Sequence, residues 1–135
     1  MTQPTPEPGA PIRVLIVDDT SVMRDALSLF VGQWPEFEVA GTACNGAEGV
    51  LAAQTLRPDV VLMDLRMPEL DGIEATRELR RLTPEIVVVM LSAYGDQTLV
   101  DEAMDAGAMG FLHKGSPPQQ LRNAIKSAVD QRTVA

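Results

Sequence analysis

Five side chains able to do chemistry recur at one kind of position, at or just after the end of an apolar run. Asp18 and Asp19 follow Val14 to Val17, Asp64 follows Val60 to Met63, Ser92 follows Ile86 to Leu91, and Lys114 closely follows Met109 to Leu112. Three carboxylates gathered at one point repel one another and raise each other's pKa unless a cation neutralises them. Oxygen ligands alone select a hard ion, and Mg²⁺ normally keeps several waters beside one or two carboxylates and a phosphate oxygen. A Mg²⁺ phosphate site is the natural reading. Lys114 cannot ligate a metal, but its point charge suits a phosphoryl oxygen, and the Ser92 hydroxyl can hydrogen-bond another. Asp64, alone after its run, is then a candidate carboxylate nucleophile.

Taken singly, these residues have plainer roles. An Asp pair after a strand often caps the next helix, a serine there often sits in a turn, and a lysine is usually a solvated surface group. The conjunction at successive strand ends is what favours chemistry.

That conjunction needs a fold that aligns the ends. Apolar runs of strand length, Ile12 to Val17, Phe37 to Ala43, Asp59 to Met63, Ile86 to Leu91 and Met109 to Leu112, alternate with helical segments. Met23, Ala26, Leu27, Phe30 and Val31 fall at i, i+3, i+4, i+7 and i+8, and Leu121, Ala124, Ile125, Ala128 and Val129 repeat the spacing. Asp96 is expected to cap a helix that ends at Ala106 with Gly107 as its stop, and Ser116 with Pro117 to open the last helix. Less regular helices are expected over about 47–56 and 73–82, the second entered through a turn at Met67 and Pro68 and started by Asp71 and Gly72. Consecutive Val, Ile and Leu require burial on both strand faces, hence parallel strands covered by helices. Five βα units imply a doubly wound five-stranded parallel sheet with five helices, whose ligands bind beyond the carboxyl ends of the strands.

Composition bounds the rest. The 135 residues suit one domain, and 45% hydrophobic with 22% charged residues is ordinary globular composition. Residues 1–11 hold four prolines and little that can pack, and are expected to be a disordered leader to a domain over 12–130, with 131–135 as a tail. A net charge of −8 argues against nonspecific affinity for nucleic acid or anionic lipid. No apolar run is long enough to cross a bilayer and no signal peptide opens the chain, so the cytoplasm is the default. The single cysteine, Cys44, fits a reducing compartment and is expected to be a small buried hydrophobe.

The blocks VLIVDD, VVLMDLRMPELDGIEATREL, VVVMLSAYG and AGAMGFLHKG, in this order, resemble the receiver domain of two-component response regulators, and DGIEATRELR and GAMGFLHKG further resemble the NarL/FixJ type. The resemblance covers roughly residues 12–130 and implies a flavodoxin-like strand order of 2-1-3-4-5. It implies that Asp64 is the phosphoacceptor, taking a phosphoryl group from a phosphohistidine on a histidine kinase or phosphotransfer protein. Asp19 would then bind Mg²⁺ directly and Asp18 largely through water, with Asp64 and the backbone carbonyl of Arg66 completing the ligands. Lys114 would offset phosphoryl charge, Ser92 would be the switch hydroxyl, and Phe111 the aromatic whose rotamer follows the switch. On this reading the chain is a phosphoacceptor switch with self-catalysed phosphotransfer and autodephosphorylation, not a conventional enzyme.

Three positions depart from the family pattern. Gly115 follows Lys114 where a cis proline is usual, so a trans or more mobile loop is expected. Phe111 replaces the commoner tyrosine and brings no hydroxyl, and Arg66 sets a cation beside the acid pocket. His113, the lone histidine, reads as a partly exposed strand residue. The run Arg77, Arg80, Arg81 with Glu74 and Glu78 reads as an ion-paired helix face. Asp101, Glu102 and Asp105 on one helix complement Arg122 and Lys126 on the next, which allows a homodimer.

Two other function classes compete with the switch. A Mg²⁺ phosphatase of the haloacid-dehalogenase kind needs Asp-x-Asp on its first strand, whereas Asp18 and Asp19 are adjacent. A binding module with a relic acid pocket would not need the full residue set. NarL/FixJ-type receivers are commonly followed by a DNA-binding domain, so this chain, which alone is not expected to grip DNA, is either a single-domain regulator or a piece of a longer transcription factor.

Overall fold

The computed structural model describes residues 9–67, 69–93 and 97–134. Five strands, β1 (Ile12–Val17), β2 (Phe37–Ala43), β3 (Val60–Asp64), β4 (Val87–Ser92) and β5 (Gly110–His113), alternate with helices α1 (Ser21–Gln33), α2 (Gly46–Leu56), α3 (Gly72–Leu82), α4 (Gln97–Asp105) and α5 (Pro118–Val134). Every pairing is parallel and the spatial order is β2-β1-β3-β4-β5, as expected.

Alternation along the strands divides the core in two. Leu15, Val17, Val61, Met63, Val88 and Met90 face one way and pack with Ala53 of α2, Ala75 and Leu79 of α3, and Ala103 of α4. Val14, Ile16, Val60, Leu62, Val87 and Val89 face the other way, under Leu27 and Val31 of α1 and Leu121, Ile125 and Val129 of α5. Each central strand thus buries both faces, which explains its unbroken apolar run. The edge strand β2 carries one extra residue, Ala40, where the register slips between Val14 and Leu15.

Three strands end one residue later than their apolar runs. The ladder continues to the pairs Asp64 with Leu91 and Ser92 with His113, so these polar residues are held as strand, not as loop. The last helix starts at Pro118, one residue beyond the expected proline, and stays helical through 131–134. Gly107 ends α4 at φ +111°, with its own N–H bonded to the Met104 carbonyl and that of Ala108 to Ala103, a Schellman arrangement. The expected cap Asp96, the turn residue Pro68 and residues 1–8 of the leader lie outside the described residues.

Cys44 corrects an expectation. It is exposed rather than buried, because it follows an edge strand just before the Asn45 cap of α2, and its thiol donates to Glu48 Oε2 at 2.9 Å. That hydrogen bond is the main cause of a thiol pKa above the ordinary value.

Candidate functional site

The carboxyl ends of β1, β3, β4 and β5 bring Asp18, Asp64, Ser92 and Lys114 to one edge of the sheet. Asp18 is fully buried, Asp64 is 4% exposed and Ser92 1%, whereas Asp19 is exposed. Burying two carboxylates is costly unless they are paired and hydrogen-bonded. The Lys114 ammonium meets that need, lying 2.8 Å from Asp18 Oδ2 and 3.1 Å from Asp64 Oδ1. Asp18 gains more: its Oδ1 accepts from the backbone N–H of Thr20 at 3.0 Å and from the Thr20 hydroxyl at 3.1 Å. The Asp18 carbonyl in turn accepts from Arg24 at 2.8 Å. Asp18 thus shapes the turn into α1 with one oxygen and meets the ammonium with the other, while the N-cap of α1 is Thr20 rather than either aspartate.

Asp64 is less well served. Burial first, and then the charge of Asp18, push its carboxyl pKa up to about 6, against the pull of Lys114. Burial alone would lower Lys114, but its bonds to Asp18 and Asp64 outweigh that and hold it above its ordinary value. Carboxylate oxygens of Asp18, Asp19 and Asp64 lie within 4.8 Å of one another. A six-coordinate Mg²⁺ with ligands at about 2.1 Å spans at most about 4.2 Å between opposite oxygens. The cluster therefore suits such an ion after a slight contraction or with water in one position, and its all-oxygen chemistry matches a hard cation.

The loop after β3 is built to lie close to this cluster. Leu65 N–H continues the ladder to the Leu91 carbonyl at 2.9 Å, and Gly72 N–H closes the loop onto the Leu65 carbonyl at 2.9 Å. A Cβ on Gly72 would run into the Asp64 carbonyl oxygen and come within 2.9 Å of Leu65 Cα, so only glycine fits. Asp71 then caps α3 by accepting from Glu74 N–H at 2.9 Å. The Arg66 side chain is exposed and, with Leu65, Met67, Asp71, Ile73, Leu99 and Glu102, lines a cleft of about 510 Å³ between the start of α3 and α4.

On the other side, Lys114 N–H bonds to the Ser92 carbonyl at 2.8 Å, tying the two strand ends that supply the hydroxyl and the ammonium. No described peptide bond is cis, that between Lys114 and Gly115 included. Phe111 is partly buried and packs on the core cluster beneath α3 and α4. His113 ends β5 as a strand residue, as expected, but is exposed rather than partly so, and its ring is hydrogen-bonded at both nitrogens.

Sequence reasoning brought together every side chain of the acid cluster and missed its supports. Thr20, Arg24 and His113 contribute through contacts, most of them to or from backbone atoms, that only the folded loops create. Only Gly72, the second residue of an Asp-Gly pair, left a readable signal. On the helical surface, Glu78 pairs with Arg81 at 2.8 Å, as the charge pattern suggested. Arg122 is turned onto its own chain, forming a two-pronged pair with Glu36 at 2.6 and 2.9 Å and standing 5.8 Å from the Trp34 ring centre.

Residues 14–126 match the family described as the response regulator receiver domain. The chain is 40% identical over 117 residues to the transcriptional regulatory protein LiaR of Bacillus subtilis, covering 87% of this chain and 56% of LiaR. It is 42% identical over 113 residues to the chemotaxis protein CheY of Thermotoga maritima, covering 84% of this chain and 93% of that one. It thus spans little more than half of one relative and nearly all of the other. Among solved structures, the CheX–CheY–BeF₃–Mg²⁺ complex of Borrelia burgdorferi contains a similar chain, with a TM-score of 0.84 and 28% identity over 90% of this chain and 91% of that one. Among the described residues, no helix is long and apolar enough to cross a membrane.

Proposed function

The chain belongs to the response regulator receiver family of two-component signalling, and on that premise we propose that Asp64 is its phosphoacceptor. The observation that carries the assignment is the ammonium of Lys114 held between Asp18 and Asp64 at 2.8 and 3.1 Å, with Asp19 in the same cluster. A cation so mounted is preorganised for the charge of an arriving phosphoryl group.

Asp64, on the middle strand of the sheet, attacks the phosphorus of a phosphohistidine. A carboxylate oxygen forms the new P–O bond, the P–N bond breaks, and the imidazole of the donor leaves and is reprotonated. Lys114 offsets the charge on the transferring group, and Thr20 keeps Asp18 oriented through its two bonds to Oδ1. Asp18, Asp19, Asp64 and the Arg66 carbonyl would hold Mg²⁺, which when bound screens the carboxylates and the phosphoryl oxygens. The likeness to a CheY solved with BeF₃ and Mg²⁺ supports this ligand chemistry.

Ser92 is the switch hydroxyl of the proposal, drawn toward a phosphoryl oxygen and carrying the segment after β4 with it. Phe111, packed on the core and lacking a hydroxyl, follows by packing alone. One phosphoryl group thereby shifts a population already sampled without it. The donor is a histidine kinase or phosphotransfer protein in the cytoplasm, and the phosphoryl group is later lost by hydrolysis at the same site.

The likeness to LiaR supports a receiver of the NarL/FixJ type feeding a transcriptional output, whereas that to CheY supports action as a single domain. The pairing of Arg122 with Glu36 leaves less free charge for docking α5 of one copy against α4 of another. The test is to treat the protein with Mg²⁺ and acetyl phosphate and weigh it beside Asp64→Asn. A gain of one phosphoryl group in the wild type alone is expected, and no gain under any donor would sink the assignment.

A further inference from the structure

His113 ends β5 and adjoins Lys114. Its Nδ1 lies 3.0 Å from the backbone nitrogen of Gly115, whose N–H donates to it, so Nδ1 presents a lone pair. Its Nε2 lies 3.0 Å from the carbonyl oxygen of Ala93, which can only accept, so Nε2 carries the ring proton. One neutral tautomer satisfies both partners. Gly115 permits this closeness, because a Cβ there would stand 3.2 Å from Nδ1 and 3.3 Å from Cε1, tighter than side chains normally pack.

The two anchors have a meaning within the site. Ala93 follows Ser92 and Gly115 follows Lys114, so one ring clasps the chain just beyond the hydroxyl and just beyond the ammonium. The backbone bond from Lys114 to the Ser92 carbonyl lies beside it. A lysine followed by glycine has little local stiffness of its own. Its Nζ must nevertheless meet two carboxylates at once, which a small drift of the backbone would undo.

We propose that His113 is a positioning residue: by accepting from Gly115 and donating to Ala93 it fixes Lys114 over the carboxylates and couples it to the segment that carries Ser92. This rests on the reading of Asp64 as phosphoacceptor. Phosphoryl transfer is sensitive to such placement, since a displacement of about 1 Å can cost on the order of 100-fold in rate.

The test compares wild type with His113→Ala, His113→Phe and His113→Asn, all in the full chain with Mg²⁺ and acetyl phosphate, after urea unfolding has shown each to be folded. Loss of the ring should slow phosphoryl uptake about 10-fold. Phenylalanine keeps the bulk and should be equally slow, whereas asparagine, whose Oδ1 can accept from Gly115, should recover most of the rate. Alanine or phenylalanine variants that react as fast as the wild type overturn the proposal while leaving Asp64 as phosphoacceptor intact. If the wild type takes up no phosphoryl group, that reading fails instead, and nitrogen NMR decides the positioning role. Protonation at Nε2 alone, with larger fast motions of the Lys114 and Gly115 amides in His113→Ala and His113→Phe, supports it; a ring protonated at Nδ1, or unchanged motions, refutes it.

Discussion

Asp64→Asn should make the metal-free protein more stable, not less, and only at higher pH. The folded carboxyl has its pKa pushed from 3.8 to about 6 by burial and by Asp18, so the folded state holds this proton more tightly than the unfolded chain does. Ionisation of Asp64 therefore costs stability. The contribution is intact below the unfolded value and is lost as pH rises through the folded one, the reverse of an ordinary salt-bridged aspartate. A shift of about two pH units corresponds to a ceiling of roughly 3 kcal/mol. Asparagine removes the charge at nearly constant shape, but its amide is an imperfect partner for the Lys114 ammonium 3.1 Å away. A net gain of about 1–2 kcal/mol near pH 8 remains, or a rise in Tm of about 3–8 °C.

Urea or calorimetric unfolding of both proteins in EDTA checks this. Wild type and variant should unfold nearly alike at about pH 3, below the unfolded value, diverge as pH rises from about 4 to about 6, and stay apart above that. Excess MgCl₂ should then stabilise the wild type by mass action and the variant much less, since asparagine is the weaker ligand. A variant less stable than wild type by the same amount at both pH values would refute the reasoning. It would mean that Asp64 is adequately paired by Lys114 and carries no electrostatic strain.

Three other perturbations follow from the same geometry. Lys114→Ala leaves Asp18 and Asp64 without their shared cation, and should lower the rate of phosphoryl uptake from acetyl phosphate by about 100-fold while moving the Asp64 titration, followed by carboxyl NMR, still higher. Ser92→Ala should still take up phosphate by mass but lose the accompanying change in the Phe111 ring resonances, because on the proposed reading it is the hydroxyl that links the two. Gly72→Ala would drive its Cβ into the Asp64 carbonyl, and should lower unfolding free energy by about 2–4 kcal/mol in denaturant.

The sheet was legible because its code is redundant. Each central strand is an apolar run flanked by polar residues, as burial on both faces requires. The ends of β3, β4 and β5 were less legible for a physical reason: Asp64, Ser92 and His113 are polar, yet the ladder continues through or up to them. An apolar run marks where the core stops, not where the hydrogen bonds stop. Cys44 was misread because its surroundings depend on β2 being an edge strand, a fact of topology rather than of local sequence. The clasp of His113 on Ala93 joins residues twenty positions apart, and no periodicity encodes such a contact.

The strain at Asp64 also explains why a switch would be built this way. Asp18 is satisfied on both oxygens, whereas Asp64 shares one ammonium with it and is left at a raised pKa. A fully satisfied carboxylate would be a stable ornament, indifferent to a cation or a phosphoryl group. A poorly satisfied one gains from either, and a ligand shifts an equilibrium only by what it gains in one state over the other. The cost is met by Leu62, Met63, Leu91 and the rest of the core around β3, buried almost completely. On the proposed reading, the apolar strand that makes Asp64 uncomfortable would thus also give its modification the free energy to move Ser92 and the surface beyond it.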